Sequence, residues 1–314
     1  SGKPLLFLEK GVDDLLDAVM QHLPQPAPPT EASEAETPEE ESAESEEDAI
    51  TRVAVIGKPN VGKSSFVNAV LNEDRVIVDD TPGTTRDAID IDFRWKGREY
   101  LLIDTAGLRK KAGIKKHVEF FSVSRSLRAI RRADVCLVMM DGTEGITEQD
   151  KRILNYVYEQ GTGIVLVWTK WDLVENKEAR LKTLAEELEF KAPFLRYANS
   201  ITISNVSRQR IMKTFDMIDT VAEQTRKRVG TAELNKLMEE VRLSHTPPSY
   251  KGKHAKLLYA TQASVKPTTF VLFVNQKDLF HFSYVRFIEN RIREKYGFEG
   301  VPIHIELREG APKK

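Results

Sequence analysis

Apolar positions along the chain change their period twice. Between residues 11 and 23, Val12, Leu15, Leu16, Val19, Met20 and Leu23 recur at helical spacing and predict one amphipathic helix. From Arg52 the pattern becomes short apolar runs separated by helical stretches. Val53-Ala54-Val55-Ile56 runs into a glycine-containing loop, and residues 64–71 follow as helix. Residues 89–95 and 99–103 predict a hairpin turned at Lys96-Gly97. Residues 135–140 and 163–168 are continuous apolar runs, each followed by a helical segment, as expected of strands buried on both faces. This alternation predicts an α/β fold, a mostly parallel sheet with helices on both faces. After Gly230 the order becomes helix, strand, strand, helix, strand. Thr231 caps a helix containing Leu234 and Leu237, residues 255–260 and 269–274 are strands, residues 283–296 form a helix ended by Gly297, and 303–307 is a last strand. This is a small α+β domain without a catalytic motif of its own.

Composition narrows the picture. The chain has 314 residues and 40 % hydrophobic content, which leaves room for two modest domains of about 100–200 residues each. Ten acidic and no basic residues lie between Glu31 and Ala49, after a Pro-Gln-Pro-Ala-Pro-Pro run. Such a block repels itself and reads as a disordered linker. Set against the net charge of −1 for the whole chain, those ten acids leave the remainder at about +9. A basic body fits a polyanionic partner, and it fits an ordinary solvated surface equally well. The single cysteine, Cys136, lies in an apolar run and is expected to pack rather than react. No apolar stretch approaches the ~18 residues of a membrane helix, and no basic-then-apolar leader opens the chain. The expectation is a cytoplasmic protein with no membrane partner.

Four motifs carry chemistry. Gly57-Lys58-Pro59-Asn60-Val61-Gly62-Lys63-Ser64 fits G-x-x-x-x-G-K-[ST] and stands between an apolar strand and a helix. Its glycines let successive N–H groups curl around phosphate oxygens at the positive end of that helix, and Ser65 extends the set. Lys63 is expected on the β- and γ-phosphates, and Ser64 on Mg²⁺. Asp104-Thr105-Ala106-Gly107 sits at a strand end, where the acid can hold Mg²⁺ through water and the Gly107 N–H can meet the γ-phosphate. Thr169-Lys170-Trp171-Asp172 follows the 163–168 run and is similar to the N/T-K-x-D motif by which GTPases read the base. Asp172 can accept from guanine N1–H and the 2-amino group together. Adenine offers neither donor, so it would leave the carboxylate unpaired. Lys170 would lie along the base. Pro82-Gly83-Thr84-Thr85-Arg86-Asp87 places threonines in a loop that can complete the Mg²⁺ shell while the γ-phosphate is present and let go afterwards.

In their order along the chain, with 82–87 second, the four motifs resemble the translation-factor-related bacterial GTPases. Residues 245–248 (HTPP), 286–293 (RFIENRIR) and 296–303 (YGFEGVPI) closely resemble the C-terminal part of the EngA, or Der, family. The resemblance implies a P-loop GTPase domain at 51–228, a KH-like domain at 229–310 and a tail at 311–314. Residues 1–26 would be the last helix of a preceding GTPase domain lying outside this chain, and 27–50 an acidic linker. It further implies GTP binding, hydrolysis to GDP, and action in assembly of the large ribosomal subunit with its RNA as partner. It assigns the switch threonine to Thr85 and a K⁺ ion to Asn60, in place of a cationic finger. The groups expected in catalysis are then Lys63, Thr85, Gly107 and Asn60.

Several positions depart from the family pattern. The Ser-Ala pair that caps guanine O6 stands here as Ser204-Asn205, and the glycines after it are replaced by Ser207-Arg208-Gln209-Arg210. Thr169 replaces the usual Asn and is expected to hold its loop less well, lowering affinity. Leu108, where many GTPases carry a water-orienting Gln, cannot hydrogen-bond, so intrinsic hydrolysis should be slow without K⁺. The run Arg109, Lys110, Lys111, Lys115, Lys116, Arg125, Arg128, Arg131 and Arg132 is expected either to present a nucleotide-dependent surface to RNA or the KH-like domain, or to be an ordinary solvated helix. Gly297-Phe298-Glu299-Gly300 has the letters of an RNA clamp, but it carries an acid and lies between helix and strand, so it reads as a turn. Two alternatives to a hydrolytic switch remain: a nucleotide-binding scaffold with negligible turnover, and an RNA-binding protein with a vestigial nucleotide site.

Overall fold

The computed structural model describes residues 50–73, 75–78, 90–105, 123–245, 249–250 and 253–310. The predicted leading helix, the acidic segment, Thr85, Ala106, Gly107, Leu108, the basic residues from Arg109 to Lys116 and the tail lie outside the described residues.

The first half is a seven-stranded sheet in the order β2-β3-β4-β1-β5-β6-β7. Its strands are β1 (Ile50–Gly57), β2 (Ile77–Val78), β3 (Ile91–Trp95), β4 (Arg98–Ile103), β5 (Val135–Asp141), β6 (Gly163–Thr169) and β7 (Asn199–Thr202). β4, β1, β5, β6 and β7 run parallel, and β3 and β2 pair antiparallel at one side. β1 already begins at Ile50, inside the segment read as linker, because Ile50 is in register with Glu99 of β4. The β3–β4 hairpin turns at Lys96 and Gly97, with φ of 50° and 80°. Two successive positive φ values match the right-handed twist of the flanking strands.

Helices α1 (Lys63–Leu71), α2 (Val123–Arg132), α3 (Glu148–Gln160), α4 (Lys177–Lys191) and α5 (Lys213–Thr225) connect these strands. β5 and β6 are buried along their whole length, which is why their sequences do not alternate. One face of the sheet packs Phe66, Phe93, Tyr100, Phe215 and Ile218. The Phe93 ring stacks on Tyr100 at 5.2 Å, and Phe215 meets both edge-on at 5.3 and 5.1 Å. The other face packs Ile56, Cys136, Val138, Ile153, Leu154, Leu166 and Trp168. Cys136 is fully buried there, and burial pushes its thiol pKa up, as expected of a packing residue.

The second half comprises α6 (Thr231–Ser244), a short hairpin β8 (Ser249–Tyr250) and β9 (Lys253–His254), β10 (Leu257–Ser264), β11 (Thr269–Val274), α7 (Phe282–Tyr296) and β12 (His304–Glu309). β10 and β11 are antiparallel and β12 is parallel to β11. Gly230, rather than Thr231, occupies the cap position of α6, with no side-chain cap. Leu234, Leu237, Ile288 and Ile292 bury the helices against Ala260, Phe270 and Leu272 of the sheet.

The two halves share one core. Val221 and Ala222 of α5 belong to the same buried cluster as Phe298, Val301 and Ile303. The turn after α7 carries this junction. Gly297 ends the helix at φ 88°, and Phe298 is fully buried at φ 62°. Gly300 at φ 70° receives the Ile164 N–H on its carbonyl at 2.7 Å and donates its own N–H to Tyr197 at 3.0 Å. The Gly297–Gly300 letters therefore mark a docking turn against β6, and they do not form an open clamp. Arg293 lies 3.8 Å over the Tyr197 ring, and Lys266 pairs with the buried Asp134 at 2.8 Å. A Cβ on Gly300 would meet Val221 Cγ2 at 2.4 Å and the Ile164 carbonyl at 3.0 Å. Gly300→Ala is accordingly expected to destabilise the chain by about 2 kcal/mol, read as a lower urea midpoint for both halves together. Unfolding of the small domain alone would show that the halves do not share a core.

Candidate nucleotide site

The strands β1, β4, β5 and β6 end side by side at one rim of the sheet, the place where parallel α/β sheets bind ligands. Residues 57–62 leave β1 and curl into α1. Asn60 and Gly62 have φ of 60° and 104°. A Cβ on Gly57 would lie 2.4 Å from the Met139 carbonyl, and one on Gly62 would lie 2.8 Å from Asn205 Nδ2. Both positions therefore require glycine. Lys63 Nζ donates to the Gly57 and Lys58 carbonyls at 3.1 and 2.8 Å, which holds the ammonium within the curve of the loop. Val61 is buried, Pro59 half-buried, and Asn60 and Ser65 exposed. Ser64 is buried in the first turn of α1.

Lys58 reaches sideways to Glu144 Oε2 at 2.6 Å and Asp150 Oδ2 at 3.5 Å. Burial pulls its pKa down, but these two carboxylates outweigh it and hold the ammonium above its ordinary value. Asp150 is the buried third residue of the Thr147 capping box that starts α3. The phosphate loop is thus fastened to the loop after β5.

At the other end of the rim, Thr169 is fully buried. Its hydroxyl donates to the Val61 carbonyl at 2.7 Å, with the Met140 carbonyl as a second acceptor at 3.1 Å. Thr169, expected to hold its loop less well than an asparagine, reaches the phosphate loop directly through this one hydroxyl. Lys170 takes a left-handed φ of 55° and pairs with Asp141 Oδ2 at 2.6 Å. Asp141 also accepts from the Thr143 N–H and hydroxyl at 2.9 and 2.6 Å. Burial raises the Asp141 pKa, but Lys170 and Thr143 outweigh it and hold the carboxyl below its ordinary value. Asp172 is exposed at the start of a short 3-10 turn, Trp171–Leu173. Trp171 is buried, and its N–H donates to the Ile203 carbonyl at 3.1 Å.

Ser204 is fully buried. Its Oγ accepts the Ser207 N–H at 3.1 Å, and its N–H donates to Gln209 at 3.2 Å. The substituted loop therefore closes on itself without the family's glycines. Asn205 Nδ2 donates to the Gly62 carbonyl at 3.0 Å, while its Oδ1 is buried with no partner among the described residues. An orphaned buried acceptor at this end of the crevice is the kind of atom a bound ligand or water satisfies.

Asp104 has a left-handed φ of 59° at the end of β4, and its neighbour Thr105 is buried. Asp104 N–H donates to Asp90 Oδ1 at 2.9 Å. Its carboxylate is held by Arg125 of α2, with Nε at 2.7 Å from both oxygens and Nη2 at 2.6 Å. Arg132 of the same helix pairs with Asp90, and Arg131 donates to Gln160. Three of the four described arginines in the predicted basic surface are thus turned onto this domain's own acids and amides. Arg128 is exposed. Sequence reasoning missed two participants. Asp141 carried a signal, an acid ending an apolar strand at the ligand rim. The Arg125 pairing carried none, because it depends on where α2 lies.

Ser64 and Asp104 offer a hydroxyl and a carboxylate on rigid elements. That suits Mg²⁺, a hard cation that takes one or two carboxylates and keeps several waters. Among the described residues no cluster of three or more His, Cys, Asp or Glu could hold a metal, and no helix is long and apolar enough to cross a membrane.

Comparison with known proteins fits this geometry. A family model described as a 50S ribosome-binding GTPase matches residues 52–170, and one described as the C-terminal KH-domain-like part of EngA bacterial GTPase enzymes matches residues 228–308. The chain is 49 % identical over 298 residues to GTPase Der of Caldanaerobacter subterraneus subsp. tengcongensis, covering 95 % of this chain. It is 46 % identical over 299 residues to GTPase Der of Alkaliphilus metalliredigens and 48 % to that of Desulfitobacterium hafniense, again over 95 % of this chain. It spans 64 % of the length of each of these relatives.

Thr169→Val removes one hydroxyl at nearly constant shape and leaves the Val61 carbonyl short of a donor. GDP affinity measured by calorimetry is expected to fall about tenfold, the equivalent of one lost buried hydrogen bond, while Thr169→Ser retains it. The Lys170–Asp141 pair has a definite pH window. Because the Asp141 pKa is depressed in the folded chain, its contribution is complete above the unfolded value near pH ~4 and lost only as pH falls below that. Replacing Asp141 by Asn should therefore lower the thermal midpoint at pH 7, and by progressively less as pH falls below ~4.

Proposed function

Because the chain belongs to the GTPase Der family, also known as EngA, we propose that it binds GTP with Mg²⁺ and hydrolyses it to GDP as a switch acting on the large ribosomal subunit. One observation carries the reading. The segments read as selecting guanine are bonded to the loop read as gripping phosphate, through Thr169 on Val61 and Asn205 on Gly62. A vestigial site would have no need of two such ties between its ends.

In this reading residues 51–228 form the GTPase domain, 229–310 the KH-like domain, and 1–26 the last helix of a preceding GTPase domain, joined to residue 51 by the acidic segment 27–50. The amides of residues 57–65 and the Lys63 ammonium hold the β- and γ-phosphates. Asp172 accepts from guanine, Lys170 lies along the base, and the Ser204-Asn205 backbone meets O6. Ser64, Asp104 and, from the segment 79–89, Thr85 would hold Mg²⁺, which when bound offsets the charge on the phosphate oxygens. Gly107 N–H meets the γ-phosphate. Asn60, exposed at the left-handed apex of the loop, offers its amide oxygen to K⁺ as the substitute for a cationic finger.

The partner side rests on charge and kinship. Outside the acidic segment the chain carries about +9, and one matching family model is described as ribosome-binding. Contact with phosphate backbones of ribosomal RNA would then weaken steeply with salt.

Affinities for GTP, GDP and ATP test the site, and phosphate release tests the turnover. We expect tight guanine nucleotide binding, ATP discrimination that falls by about two orders of magnitude in Asp172→Asn, and loss of binding in Lys63→Ala. Multiple-turnover phosphate release should be faster in K⁺ than in Na⁺ buffer. Equal binding of ATP and GTP would sink the assignment. Measurable guanine binding without release in either salt would favour the scaffold reading, to which Leu108 points. Co-sedimentation with large ribosomal subunits should be stronger with a GTP analogue than with GDP.

A further inference from the structure

Arg125 and Arg132 stand seven residues apart on α2 and so share one face of the helix, two turns apart. Each ends on a carboxylate beside the nucleotide crevice. Arg125 takes both oxygens of Asp104 at 2.7 Å through Nε, with Nη2 at 2.6 Å, and Arg132 takes Asp90. Asp90 also accepts the Asp104 N–H at 2.9 Å, so the four residues form one chain, Arg125–Asp104–Asp90–Arg132. It joins α2 to the residues at the inner ends of β3 and β4. Asp104 is only 19 % exposed, and its left-handed backbone fixes where the carboxylate sits.

We infer that Arg125 is an internal cation that competes with Mg²⁺ for Asp104, so that seating the metal with nucleotide requires α2 to release its grip. The inference rests on the reading of Asp104 as a Mg²⁺ group. A planar guanidinium on both oxygens of one carboxylate satisfies its charge and fills the directions from which another ligand would approach. A hydrated Mg²⁺ reaching Asp104 through water needs at least one of those oxygens back. The two cations are therefore alternatives, and each weakens the other by the same factor. Asp90 holds the Asp104 backbone N–H rather than its carboxylate, so Arg132 can stay on Asp90 as the pivot. The state with Arg125 seated is one of low metal affinity, suited to exchange of nucleotide. The state with Mg²⁺ bound frees the first turn of α2, next to the segment 106–122.

A Mg²⁺ titration of binding by a fluorescent, non-hydrolysable GTP analogue reads this competition without turnover. In Arg125→Gln the Mg²⁺ concentration for half-maximal binding should fall about fivefold or more, the lower range of typical coupling. Arg125→Lys keeps the charge but loses the two-pronged grip, and its midpoint should lie between the two. Arg128→Gln removes an exposed charge from the same helix and should leave the midpoint in place. Hydrogen exchange in the first turn of α2 should quicken when Mg²⁺ and analogue are added to the unsubstituted chain, and should not change further in Arg125→Gln. Unchanged midpoints in both Arg125 variants would overturn the inference alone. An equal shift in Arg128→Gln would overturn it as well, because it would show a general charge effect. Absence of Mg²⁺-dependent binding in the unsubstituted chain would overturn both the inference and the metal reading of Asp104.

Discussion

At the end of β1 the chain must turn within a few residues from a buried strand into a helix, and the space allowed for that turn sets much of the rest. Gly57 lies against the carbonyl of Met139 in β5, and Gly62 against the amide of Asn205. The loop between them is therefore clamped from two sides by other segments. Its curled backbone leaves N–H groups directed inward at the start of α1, and a polyanion is what such a nest accepts. Lys63 lies across the loop on its carbonyls, so the positive charge is in position before any ligand arrives.

That clamp also brings two residues that depart from the family pattern, Thr169 and Asn205, onto the loop. A hydroxyl at Thr169 is shorter than an asparagine amide, yet it reaches Val61 because β6 and the loop are held close by the sheet register. Asn205 adds a second tie where the family's alanine would make none. Its tie ends on the Gly62 carbonyl, so the two ends of the crevice are coupled twice. The Ser204 loop, having lost its glycines, closes by the Ser204–Gln209 bridge. The small domain contributes stiffness from behind: its turn at Phe298 and Gly300 caps the opening of β6, so the strand that carries Thr169 at one end is anchored by the second domain at the other.

The charges around Asp104 are satisfied within the domain itself. Asp104 is bonded by α2, and α2 is bonded again by Asp90. Of the described arginines of that helix, Arg125 and Arg132 pair with acids of this domain and Arg131 with Gln160, while Arg128, Arg131 and Arg132 stay exposed to solvent. Among the described residues, two of the arginines that read from sequence as a polyanion contact serve as counter-charges to acids of the same domain.

Sequence alone determined most of the local elements. Continuous apolar runs specified β1, β5 and β6, because strands buried on both faces need no polar positions, and Lys96-Gly97 specified the hairpin because both residues must adopt positive φ. The order of the motifs specified the phosphate loop and the base-reading loop, since both work through backbone or through one fixed side chain. β7, with the sequence Asn199-Ser200-Ile201-Thr202, was not legible: an edge strand half open to solvent shows no apolar run. Only the tertiary structure decided that Thr169 reaches Val61, that Asn205 reaches Gly62, that the Gly297–Gly300 turn is a docking element, and that Arg125 rests on Asp104. Each of these is a contact across tens of residues, set by the register of one sheet and by how α2, α5 and α7 lie on it. Helical or strand period constrains only neighbours along the chain, so no pattern in the sequence could report distances between them.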